Sequence, residues 1–113
     1  MCIRDRFLAL NSQFHEMLAT IGGNVVLTDL MRSLRDRTAL LFAPSNMHRA
    51  KANWDEHSQI LNAVIAGNGD LAALLASQHV HNAAKAYTDA QPVSYTHLRA
   101  QRDATLSRMP SSA

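Results

Sequence analysis

Three breaks in an otherwise continuous apolar rhythm constrain this chain most. Gly22-Gly23, Ala43-Pro44-Ser45-Asn46 and Gly67-Asn68-Gly69 divide residues 7–91 into four segments. In each segment apolar side chains recur at threes and fours, the spacing of one helix face. The first runs from Phe7, or a little earlier, to Ile21, with Phe7, Leu10, Phe14, Met17, Leu18 and Ile21 in its stripe. The second runs from Val25 to Phe42 along Leu27, Leu30, Met31, Leu34, Thr38 and Leu41. The third starts between Met47 and Asn53, ends near Ala66, and buries Trp54, His57, Ile60, Leu61, Val64 and Ile65. The fourth spans Asp70 to Ala90 and turns Leu71, Leu74, Leu75, Gln78, His79, Asn82 and Ala86 to one broad side. Helices joined by breaks this short lie beside one another, so the pattern predicts an all-α, antiparallel bundle of about four helices. Glycine at residues 22–23 suits a left-handed helix end, Asn24 is placed to cap the second helix, and Asp70 to start the fourth. Ala43-Pro44-Ser45-Asn46 reads as a loop.

Bulk properties narrow the field. A chain of 113 residues holds one small domain at most. Aromatic residues make up only 5% of it, and an apolar complement drawn from Ala, Leu and Met favours helix over sheet. Cys2 is the only cysteine, which excludes an internal disulfide and a thiolate metal site and points to the cytoplasm. No apolar run reaches the ~20 residues that cross a bilayer, so no membrane partner is expected. The net charge of +2 belongs to the ends: residues 7–91 carry six Lys/Arg against seven Asp/Glu. A nucleic-acid face on the body is therefore not expected.

Chemistry concentrates on three histidines. Asn11 and His15, four apart, share one side of the first helix. His57 is in register with Ile60, Leu61 and Val64, and His79 follows Leu75 by four, so both face inward. His48 and His81 fall on solvent-facing positions. One inward histidine is more often a hydrogen-bonded core residue, but three on three helices, with Asn11 beside them, make a candidate first shell for a divalent metal: Asn11, His15, His57 and His79. Glu56 lies about 100° around the helix from His57 and is expected to face away. Without a base in reach, and with no nucleophile–base pair or phosphate loop, an enzyme is not expected. Arg32, Arg35, Asp36 and Arg37 read as a solvated face with an Arg32–Asp36 pair. An arginine turned inward would instead grip a carboxylate.

Residues 1–6 resemble a translated sequencing-adapter leader, and Ser94-Tyr95-Thr96-His97-Leu98-Arg99-Ala100 resembles the matching read-through. Residues 1–6 are accordingly expected to be non-native and 92–113 disordered or non-native, leaving 7–91 as the biological segment. Within that segment the order of motifs is distinctive. Asn11-Ser12-Gln13-Phe14-His15 is followed by Gly23-Asn24 at a helix start. Glu56-His57-Ser58-Gln59-Ile60-Leu61, Gly67-Asn68-Gly69-Asp70-Leu71 and His79-Val80 come after. This series resembles the FCD domain, the C-terminal effector-binding domain of FadR-branch GntR-family bacterial transcription regulators.

The resemblance implies a bundle of about six helices, of which this chain holds four. It also implies a winged-helix DNA-binding domain elsewhere in the parent, and a homodimer. In metal-binding members an Asp and three His hold zinc, nickel or manganese, and a small organic acid binds over the ion. The matching positions here are Asn11, His15, His57 and His79, with Asn11 standing where those members have Asp. Arg35 or Arg37 would sit beside a carboxylate effector. A metal-free helical dimerisation or interaction module is the alternative. Lacking two helices, the bundle is expected to expose apolar surface at Phe14 and Leu30.

Overall fold

The computed structural model describes residues 2–91 and 99–105. Four helices follow in order: α1 (Ile3–Ile21), α2 (Val25–His48), α3 (Ala50–Ile65) and α4 (Gly69–Asp89). Residues 99–105, in the stretch expected to be disordered, are also helical, and there is no strand among the described residues. The rest of that stretch, 92–98 and 106–113, lies outside them, as does most of the adapter-like string. The all-α expectation holds. α1 begins a turn earlier than Phe7, where the Cys2 thiol accepts from the Asp5 amide at 3.5 Å.

Local chemistry explains the turns. Asn24 Oδ1 accepts the Leu27 amide at 3.0 Å and opens α2. Asn68, not Asp70, opens α4, its Oδ1 accepting the Leu71 amide at 3.1 Å. Gly23 and Gly67 take positive φ of 75° and 71°, the left-handed turn that releases the chain from each preceding helix.

The expected loop at residues 43–46 is absent. α2 continues through Pro44 to His48, and the chain turns only at Arg49. Proline lacks the amide that would bond the Leu40 carbonyl. Leu40 is 86% exposed, so water can serve that carbonyl instead. Ala43 and Ser45 on either side are buried, and Ser45 Oγ donates to the Phe42 carbonyl at 3.0 Å. Burial on both flanks holds the helix against the local preference. Pro44→Ala restores the amide at an exposed position and is expected to raise stability by about 1–2 kcal/mol, less than the full interior-proline cost because proline also restrains the unfolded chain. A melting temperature that drops on this substitution would contradict the account.

α3 packs mainly on α4, α1 on α2, and α2 also meets α4. The interior they enclose is unusual in kind. Among the described residues its buried apolar side chains are only Ala43, Ile60 and Ala63, beside the buried polar Asn11, Ser45, Asn53, His57 and His79. Buried polar groups cost free energy unless partnered, so this centre is specified by its hydrogen bonds as much as by apolar burial. Phe7 and Phe14 pack edge-on against Trp54, with ring centres 6.1 and 6.5 Å apart.

The apolar surface is partly where it was expected. Leu30 is 58% exposed, with Val26, Leu27 and Leu34 also open along α2. Phe14 instead stacks on His57 at 4.0 Å between ring centres. Ile65, read as buried, is 75% exposed at the end of α3. Arg32 reaches across to Glu16 at 2.7 Å and to Asp29 at 3.3 Å; its expected Asp36 bridge does not form. Exposed pairs of this kind add little stability.

Candidate metal centre

The three histidines converge. One ring nitrogen from each of His15, His57 and His79 lies within 4.8 Å of the others. α1 supplies His15, α3 His57 and α4 His79. Ring centres are 5.1 Å apart for His15–His57, 5.4 Å for His15–His79 and 4.7 Å for His57–His79. Phe14 lies nearly parallel to the His57 ring, and Trp54 meets it edge-on at 5.0 Å. His57 therefore has little room to rotate. Asn11, one turn before His15, is buried and lines the same cavity as His15 and His79. His48 and His81 are exposed, as expected.

Glu56 overturns its expectation. It does not face away: its Oε2 accepts from His79 Nδ1 at 2.5 Å. The 100° offset from His57 aims Glu56 at α4 rather than at water. Its other oxygen accepts from Arg49 Nη2 at 2.6 Å and from Asn82 Nδ2 at 2.8 Å. Arg49 also donates to Asn53 Oδ1, and Asn53 Nδ2 donates to the Asn46 carbonyl at 3.2 Å. Burial alone would raise the Glu56 carboxyl, but hydrogen bonds from His79, Asn82 and Arg49, with the Arg49 charge, hold it below its ordinary value. Periodicity had turned His79 and Asn82 inward on α4, but Arg49 lies at the α2–α3 junction and Glu56 on the flank of α3, off any apolar stripe, so spacing did not reveal that these four meet.

The tautomers follow from the bonds. In the tautomer whose Nδ1–H donates to Glu56, the Nε2 of His79 carries the lone pair and faces His57. The two Nε2 atoms are 3.2 Å apart. Two nitrogens bound to one zinc at about 2.0–2.1 Å in tetrahedral geometry stand roughly 3.3–3.4 Å from each other. His57 Nδ1 is the only buried side-chain nitrogen or oxygen without a hydrogen-bond partner among the described residues. A carboxylate behind one imidazole and three ring nitrogens at one point form a donor set that fits a divalent transition metal.

Neutrality is built in. Burial, with the nearby Arg35 cation and the other two histidines, lowers His15 from 6.5 to about 3. Burial and the neighbouring His79 lower His57 from 6.5 to about 4. Lone pairs at both rings are thus available at neutral pH. The same shifts set the acid stability of the metal-free protein. Below pH 6.5 the unfolded chain binds protons at both histidines, while the folded chain resists them down to about 4 and about 3. Stability is therefore full above that window and falls as pH falls through it. A metal-free melting temperature several degrees lower at pH 5 than at pH 7.5 is expected; equal values would contradict the buried neutral pair.

A cavity of about 270 Å³ adjoins the histidines, lined by Asn11, Ser12, His15, Arg35 and His79 among others. Arg35 donates to Ser12 Oγ at 3.3 Å, and burial depresses its guanidinium from the ordinary arginine value. Arg37 is exposed and does not line this cavity.

The fold and site define an all-α domain with a ligand-sized cavity beside a three-histidine centre. The family model for the FCD domain matches residues 3–82, and the chain belongs to that family. FCD domains are regulatory, effector-binding parts of GntR-type transcription regulators and not catalytic domains. No curated protein and no solved structure matches the chain significantly. No helix among the described residues is long and apolar enough to cross a membrane.

Proposed function

We propose that this chain is the sensing part of a cytoplasmic FadR-branch regulator that binds a small organic acid through a divalent metal. His15, His57, His79 and Asn11 would hold the ion, with zinc, nickel or manganese as candidates, and its charge would attract the acid's carboxylate. Arg35, which lines the adjoining cavity, would take a second oxygen of that carboxylate, a role that the exposed Arg37, off that lining, does not share in this reading. In a homodimeric parent, effector binding would favour one packing of the bundle and so alter the placing of the winged-helix domains on DNA. The observation that carries the proposal is the meeting of three ring nitrogens within 4.8 Å, with Glu56 behind His79. A metal-free interaction domain is the second reading, favoured by the direct His57–His79 contact and by the uncharged Asn11.

Calorimetric titration of zinc and nickel into the metal-stripped chain separates the two. One ion per chain supports the sensor; no binding supports the metal-free module. Asn11→Asp adds a charged oxygen and is expected to tighten binding by about tenfold or more, most for manganese, the hardest of the three. Unchanged affinity would place Asn11 outside the ligand set.

A further inference from the structure

A second cavity of about 280 Å³ lies between α1, α2 and α4, with Ile60 of α3 also lining it. It shares His15, His79 and Val80 with the first, so the two adjoin along the histidines. Their chemistry differs. The first offers Ser12, Arg35 and Asn53, and the second is walled by Leu18, Leu27, Met31, Ile60 and Ala76.

Beyond the two shared histidines, the polar residues on the second wall are Asn24 and Thr28, and their side-chain oxygens are already engaged. Asn24 Oδ1 caps the Leu27 amide at 3.0 Å. The Thr28 hydroxyl lies 2.9 Å from the Asn24 carbonyl and 3.2 Å from that of Ala19. A ligand hydroxyl entering there would give up water for few partners. An alkyl or aryl group would gain, and an apolar cavity of roughly 150 Å³ already takes benzene.

We infer that the effector is an amphipathic carboxylate: its head group lies in the Arg35 cavity, and a short alkyl chain or single ring fills the apolar cavity beyond His15 and His79. Polyhydroxylated sugar acids fit this pair of cavities poorly. The inference rests on the carboxylate-binding reading above and narrows it to one ligand class.

NMR titration of the chain, with zinc present, against acetate, butanoate, hexanoate, octanoate and gluconate tests it. Affinity is expected to rise about fourfold for each methylene buried until the cavity is full, with gluconate no tighter than acetate. Ala76→Phe and Ala19→Leu, two separate ways of filling the cavity, should flatten that rise while acetate binding stays as it was. Retained zinc stoichiometry and a cooperative melt identify which of the two variants is folded. Equal affinity along the series, gluconate tighter than octanoate, or an unchanged rise in the folded filling variants would each overturn the inference. Failure of every acid, acetate included, would overturn the carboxylate reading itself.

Discussion

Zinc titrated into a His57→Ala/His79→Ala chain is expected to give no stoichiometric binding, where the unaltered chain takes one ion. These two rings approach closest, with their Nε2 atoms 3.2 Å apart, and they come from the helix pair that packs most extensively. Removing both leaves His15 and Asn11 on one helix, too few donors for a zinc site. The loss should far exceed the 10- to 100-fold that follows from removing a group behind a metal ligand. His57 is only 2% exposed, so alanine also opens a void. His57→Gln/His79→Gln, which keeps most of the volume, controls for that. Full binding in a folded glutamine variant would remove both histidines from the ligand set.

Glu56→Ala is expected to weaken the fold and the metal site together. The carboxylate accepts from Arg49, Asn82 and His79, joining the α2–α3 junction to α4. Its removal leaves the Arg49 guanidinium, which is 13% exposed, without its counter-charge, held only by Asn53. Breaking one side of a fully buried pair costs 3–5 kcal/mol; partial exposure of this one reduces the figure to about 2–3 kcal/mol. In a domain of this size that lowers Tm by roughly 10–20 °C. The His79 ring also loses the acceptor that fixes its tautomer, and zinc affinity should fall about 10- to 100-fold. Glu56→Gln retains an acceptor for His79 but not the charge facing Arg49, so its effects should be smaller on both counts. A Glu56→Ala chain with unaltered zinc affinity would make the carboxylate a purely structural tie.

The acid-lability expected of the metal-free protein has the same origin as its metal fit. Rings kept neutral by burial and by neighbouring positive charge have their lone pairs free at neutral pH, and they penalise the folded state once the unfolded chain can take up protons.

Much of this molecule was legible in its residues. Apolar spacing located four helices, Gly23 and Asn24 marked a turn, and register with Ile60, Leu61 and Leu75 turned His57 and His79 inward. The order of short motifs pointed to the family. Where legibility failed at Pro44, Arg32 and Glu56, the cause was a neighbouring element. Pro44 has a strong local preference to end a helix, and only the burial of Ala43 and Ser45 overrode it. Arg32 had Asp36 at a good spacing, and Glu16 on the neighbouring helix took it instead. Spacing along one helix gives the angle of a side chain about that helix's own axis. It does not say which element waits at that angle. For His57 the direction was inward whichever helix lay opposite, so sequence sufficed. For Glu56, on the flank, the same reasoning could only say that it pointed elsewhere. The docking of α4 against α3 decided that this direction held His79 and Asn82, and turned a side chain read as facing away from the site into the support of the histidine centre.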